Sequence, residues 1–168
     1  MTSEQVLTLA VRRHVIVGDR PFQDVMDAIY TGISRPDIQD LFGHLEASMS
    51  YQQFSSLAAR AQGSAGLIRF LELELDNALA RDPQAENKGR LTRLIAGNPV
   101  TMGEMTRTLP DAGSYAPVTI LIQELPGGRT RIAYDSVVSA IEGYGDPAAL
   151  KVAERLDDEV LALLRRAA

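Results

Sequence analysis

The sequence predicts an α+β domain of two layers with the order β-α-β4-α: an antiparallel sheet with two main helices on one face, plus two inserted helices. Three observations carry this. Apolar residues alternate with period two in five short segments, two amphipathic helical stripes bracket those segments, and short Gly- or Pro-containing turns separate them. With 168 residues the chain is long enough for one hydrophobic core and too short for two comfortable ones. Residues 1–168 therefore read as a single domain.

The first strand lies in the second half of residues 6–17, with Val11, Val15 and Val17 on one side and Arg12, His14 and Ile16 on the other. Asp19 is placed to cap a helix whose first turn tolerates Pro21. Phe22, Val25, Met26, Ile29, Tyr30 and Ile33 then recur at helical spacing and form one core-facing stripe. Ser34 opens a second helix, with Ile38, Leu41, Phe42 and Leu45 on one face. Ser50 and Gln53 have capping-box spacing for a third, ended by Gly63-Ser64-Ala65-Gly66.

The stretch RFLELELDN (residues 69–77) reads as a strand, with Leu71, Leu73 and Leu75 toward the helices. Glu72, Glu74 and Asp76 would then line the solvated face with Arg129 and Arg131, and Arg12 and His14 are placed to join them. A polar loop at 82–89 leads to a strand from Arg90 to Ala96, which Gly97-Asn98-Pro99 breaks. Thr101 and Glu104 box a short helix. Strands Val118–Glu124 and Arg129–Tyr134 form a hairpin across Pro126-Gly127-Gly128. After a short helix near 136–142, Asp146-Pro147 starts a long last helix. Leu150, Ala153, Leu156, Val160 and Leu163 face inward, and Asp157 to Glu159 lie on a solvated outer face.

The charge of −5 and pI near 5.0 argue against a nucleic-acid partner. There is no cysteine, which removes disulfides, thiol nucleophiles and thiolate metal sites. The first eighteen residues lack a signal-peptide pattern and no apolar run approaches the roughly 20 residues that span a bilayer. No membrane association is expected, and the cytoplasm is the expected location.

The run from Leu91 to Tyr134 contains LIAGNPVTMGEM, YAPVTILIQELPGG and RIAYD. Gly97, Asn98, Pro99, Met105, Pro117, Gly128 and Tyr134 in it resemble the pattern of the bacterial domain-of-unknown-function family 302. The resemblance covers about residues 6–33 and 66–166, so residues 34–65 read as an inserted helical pair. It implies a TBP-like fold and a homodimer, and it attaches no general reaction. The family usually has Ile-Asp-His where this chain has Leu75-Asp76-Asn77, so the Asp is kept and the imidazole is lost at that point.

No motif names a reaction. Strand residues two apart are about 7 Å apart, too far to converge on one ion unaided, so no metal site is expected on the carboxylate row. No cofactor is expected either: Gly127-Gly128 precedes no helix start, and His14 and His44 have no ligand partner beside them. Asp76 and Asn98 sit at strand ends, either in a polar pocket or holding their loops by side-chain-to-backbone hydrogen bonds. The candidate ligand-binding residues are Asp76, Asn98, Met105, Tyr134, Phe42 and Tyr51. The apolar stripes at 34–65 must cover the core, a partner subunit or a cavity. The leading expectation is a small-molecule-binding protein with a pocket between sheet and inserted helices. The alternatives are a small cofactor-free enzyme using Asp76, Asn98 and Tyr134, and a dimeric interaction module without a pocket.

Overall fold

The structure, a computed structural model, describes residues 2–86 and 89–168. The predicted polar loop at 82–89 includes Asn87 and Lys88, which lie outside the described residues. Six strands form one sheet: β1 Arg13–Gly18, β2 Ile33–Ser34, β3 Leu67–Glu74, β4 Leu91–Gly97, β5 Val118–Glu124 and β6 Thr130–Asp135. Their order is β1-β6-β5-β4-β3-β2, antiparallel throughout except for the two-residue β2, which runs parallel to β3. The α+β class is therefore as the sequence predicts.

Two main helices, α1 Phe22–Gly32 and α7 Pro147–Ala167, pack on one face of the sheet. Val25 and Ile29 of α1 meet Leu94, Ile120 and Ile132 of the sheet and Leu156, Val160 and Leu164 of α7, all at most 2% exposed. Asp146 caps α7 as expected, accepting from the Ala149 N–H at 2.9 Å, with Pro147 in the first turn. The β5–β6 turn is the expected tight connection, and Gly127 and Gly128 both take positive φ there, at 81° and 78°. Among the described residues, no helix is long and apolar enough to cross a membrane.

Three helix starts differ from the sequence reading. Pro21, not Asp19, is the N-cap of α1 and it makes no side-chain capping bond. The second helix, α2 Ile38–Glu46, is capped by Asp37, because Ser34 is taken up in β2. Asn98 caps α5 Pro99–Thr106, so the Thr101–Glu104 pair falls inside that helix. Ser50 does cap α3 Tyr51–Ala61, accepting from the Gln53 N–H at 3.2 Å.

The largest departure concerns the faces of β3. Leu71, Leu73 and Leu75 are 46%, 37% and 36% exposed, while Glu72 lies opposite Leu94 on the helix side. The cause is a β-bulge: Arg69 pairs with Ala96 and Leu71 with Ile95, which leaves Phe70 as an extra residue. Leu67 enters the main core on odd parity. Past the bulge the even residues face the helices, so a single extra residue exchanges the faces of everything after it. The predicted burial of these leucines and the exposure of Glu72 are corrected accordingly, while Glu74, at the end of the strand, is exposed as expected. After β3 the chain makes one helical turn, α4 Asp76–Leu79, where an extended strand end was expected. His14 is on the helix side too, stacked 6.4 Å from Tyr134, so it does not join an outer charged row.

Helices α2 and α3 make a second, smaller core of Leu41, Leu45, Ala58 and Ile68, with Phe70 packed against it. Leu67 and Ile68 thus serve opposite faces of one strand. Phe42 leans on Phe70 at a ring distance of 5.8 Å. The short helix expected near 136–142 is α6 Val137–Ile141, capped by Ser136.

Candidate functional site

The bulge turns the carboxylate row of β3 inward against α1. Phe22, Gln23, Met26 and Tyr30 share one face of α1, as residues three or four apart must. With Glu72, Glu74 and Asp76 from the end of β3, and Arg90 and Thr92 from the start of β4, they line a cleft of about 430 Å³. That size suits a small organic molecule. Met26 and Phe22 supply an apolar wall. Of the three carboxylates Glu72 is paired with Arg69 at 3.0 Å, and Arg90 is paired with Glu124 at 3.5 Å. This leaves Glu74 and Asp76 without an ion-pair partner among the described residues.

Each carboxylate is positioned by the protein. Glu72 accepts from the Tyr30 hydroxyl at 2.6 Å and from Arg69 at 3.0 Å. Burial, with the adjacent Glu72 acceptor and charge, holds the Tyr30 hydroxyl well above the usual tyrosine range, so it stays a donor. Arg35 lies over the Tyr30 ring at 4.2 Å. Glu74 receives the Asn77 amide at 2.9 Å through Oε2, and Asp76 receives the Leu91 N–H at 3.2 Å through Oδ1. The described residues offer no hydrogen-bond donor to Glu74 Oε1 or Asp76 Oδ2. Arg90 sits over the Phe22 ring at 4.4 Å and donates to Gln23 at 3.0 Å. Past the edge of β3, Glu72 and Glu74 also line a groove beside Ile38 of α2. Among the described residues, no group of three or more His, Asp or Glu side chains is arranged to hold a metal ion.

The six residues singled out in the sequence do not converge. Asp76 lines the cleft and ties the end of β3 to β4. Asn98 lines a different groove with Gln62 and Arg155. Its side chain accepts from the Val100 N–H at 2.9 Å and donates to Gln62 at 2.6 Å and to the Gly66 carbonyl at 3.1 Å. Both residues hold their loops by side-chain-to-backbone bonds. Asn98→Ala removes the α5 cap and the tie to Gly66, and is expected to cost about 1–2 kcal/mol in urea denaturation. Met105 is fully buried in the main core, Tyr51 is exposed, and Phe42 belongs with Phe70.

Tyr134 is buried and its hydroxyl donates to Asp157 at 2.6 Å. Asp157 itself is 7% exposed, which corrects its expected place on a solvated face. Its two oxygens also accept from the Ser136 hydroxyl at 2.5 Å and from the Val137 and Val138 N–H groups at 2.9 and 3.2 Å. Every donor it meets is a fixed part of the fold, so this cluster anchors α7 to the start of α6. The cleft residues that sequence reasoning missed are Phe22, Gln23, Met26, Tyr30, Arg90 and Thr92, and Glu72 and Glu74 were assigned to a solvated face instead. Tyr30, a polar-tipped residue inside an apolar stripe, was the available signal.

The cleft and the sheet define an α+β protein with two helices over an antiparallel sheet. The family model for the domain of unknown function DUF302 matches residues 44–167, more than half of the chain, and the chain belongs to that family. The crystal structure of an uncharacterized conserved DUF302 protein from Bacillus stearothermophilus is similar in fold. Its TM-score is 0.56 at 14% identity, over 93% of this chain and 98% of that one. No curated protein matches the chain significantly.

Proposed function

We propose that the protein binds a small organic ammonium compound in the cleft between α1 and the β3–β4 strands, without chemistry of its own. The observation that carries this reading is the pair of carboxylate oxygens, Glu74 Oε1 and Asp76 Oδ2, that no described donor satisfies, beside the apolar wall of Phe22 and Met26. These oxygens face solvent, and an ammonium group at each end of a short alkyl chain would take one of them while the chain covers the wall. The pocket expected between sheet and inserted helices is thereby moved to the α1 side of β3. The pair α2–α3, which we read as an insertion, borders it through the groove at Ile38. An enzyme built on Asp76, Asn98 and Tyr134 is the weaker reading, because the three line no common cavity and Tyr134 is sealed against Asp157. The same reading places the cysteine-free chain in the cytoplasm as a homodimer.

Calorimetric titration with 1,4-diaminobutane, and with the uncharged 1,4-butanediol as control, tests the site. The diamine is expected to bind and the diol not. Glu74→Gln should weaken the diamine at least about tenfold, a loss of 1.4 kcal/mol, and added salt should weaken it further. Absence of heat with the diamine and with spermidine would remove the proposal.

A further inference from the structure

We infer that the sheet carries a second binding site on the face opposite α1 and α7, a trough over β5 and β6 that takes an organic carboxylate with an apolar tail. Helices α2 and α3 cover the β3 side of this face over Ile68 and Phe70, and neither helix lines the trough. The cleft beside α1 lies on the other face of the sheet, so each site stands without the other.

Two hollows make up the trough. The first, of about 360 Å³, is floored by Leu121 and Ala133, with Arg93 of β4 and Arg13 of β1 at its sides. The second, of about 280 Å³, lies toward the start of β5, where Tyr115, Pro117 and Val11 stand around Val137 and Ala140 of α6. Thr119 and Asp135 line both, so the hollows are continuous. Arg93 is the ladder neighbour of Leu121, and Leu121 to Pro117 is four extended residues, roughly 13 Å. A carboxylate of about eight carbons, roughly 10 Å from end to end, fits that length. Its head lies at Arg93 and its tail reaches the second hollow. There Val11, Pro117, Val137 and Ala140 present only carbon from their side chains, which an alkyl chain would take out of water.

The charges decide the head group. The chain carries a net charge of −5, yet on this face Arg13, Arg93 and Arg131 stand against the one strand carboxylate of Asp135. Arg13 and Asp135 neutralise each other through two bonds of 2.6 and 2.8 Å, and the guanidinium holds the Asp135 carboxyl below its usual range. Arg93 and Arg131 have no ion-pair partner among the described residues. Arg93 is exposed and makes one long bond, 3.4 Å to the Thr119 hydroxyl. The rest of its planar fork is open to a carboxylate, which it matches with two parallel N–H donors. The Thr119 hydroxyl can give its own proton to the same anion. Arg131, two residues along β6 from Ala133, adds to the positive potential there, so an ammonium compound is disfavoured in this trough.

Calorimetric titration of the full chain with octanoate, hexanoate and the uncharged 1-hexanol tests the trough, with circular dichroism as the folding control for each variant. Octanoate is expected to bind about tenfold more tightly than hexanoate, because its two further methylenes are buried, and 1-hexanol is expected not to bind. Arg93→Gln should weaken octanoate at least about tenfold. Lys151→Gln removes an equal charge from an exposed position on α7 and should leave octanoate unchanged. Val11→Asp, also at an exposed position, sets a carboxylate at the apolar end and should remove the preference for octanoate over hexanoate. No heat with octanoate, equal binding of hexanoate and 1-hexanol, or octanoate binding that survives Arg93→Gln overturns the site. A loss with Lys151→Gln as large as that with Arg93→Gln would reduce the effect to net charge and overturns it as well. A preference for octanoate that persists in Val11→Asp overturns the placement of the tail.

Discussion

Asp157→Ala is expected to destabilise the protein by about 3–5 kcal/mol, read as a lower urea midpoint at unchanged denaturant slope. The carboxylate accepts four hydrogen bonds from Tyr134, Ser136, Val137 and Val138. Removing it strands two hydroxyls and two backbone N–H groups in a site with little access to water. One stranded donor costs about 1–3 kcal/mol, and partial relaxation keeps four from adding fully. Tyr134→Phe removes a single donor and leaves Asp157 three partners, so about 1–2 kcal/mol is expected. Burial, and then the charge of Asp157, hold the Tyr134 hydroxyl far above its ordinary value of 10.0. A group raised in the folded state stabilises fully below its unfolded pKa, so this contribution is complete below about pH 10 and is lost as pH rises beyond that. Tyr134→Phe should accordingly flatten the alkaline limb of the stability profile. An Asp157→Ala loss under 1 kcal/mol would mean that water replaces the carboxylate and that the cluster is not sealed.

Where the periodicity is local, the sequence is legible. The α1 and α7 stripes and the β5–β6 hairpin each depend on residues within one element, and each stands where the pattern puts it. The sequence is not legible where one residue couples two elements. Nothing in RFLELELDN announces that Phe70 is supernumerary, because the bulge is set by pairing with β4 and by packing of Phe70 with the α2–α3 cluster. That single residue moved the leucines out and the carboxylates in, and so relocated the candidate site. Asp157 is obscured for a related reason. It sits beside acidic Asp158 and Glu159, yet it belongs to the i+4 series Ala149, Ala153, Leu161, whose other members are buried apolar residues. An acidic residue in such a series signals a buried hydrogen-bond anchor rather than a solvated face.

Gly63→Ala is expected to cost about 3 kcal/mol, although one methyl group is all that it adds. The position needs glycine for close approach. A Cβ at residue 63 would stand 2.2 Å from the Gly32 carbonyl oxygen and 2.6 Å from the Ser34 nitrogen, both backbone atoms that cannot rotate away. Here the end of α3 is laced to the end of α1 and to β2 and β3. The Gly63 N–H donates to Leu67 O at 2.9 Å, the Ala65 N–H to Gly32 O at 2.9 Å, and the Ser34 hydroxyl to the Ala61 carbonyl. Relieving the contact means moving α3 away from β2, which loosens these bonds together. Gly43→Ala is the control, because a Cβ there meets nothing within 4 Å and the residue lies inside α2. It should raise stability by roughly 0.5–1 kcal/mol through helix propensity alone. Thermal melts of the two variants, with limited proteolysis of residues 35–62, read the effect: Gly63→Ala should melt lower and be cut in that segment, and Gly43→Ala should do neither. Equal melting of Gly63→Ala and the wild type would show that the α3 exit yields at no cost, and the two helices would then be a loosely hung pair rather than part of the main fold.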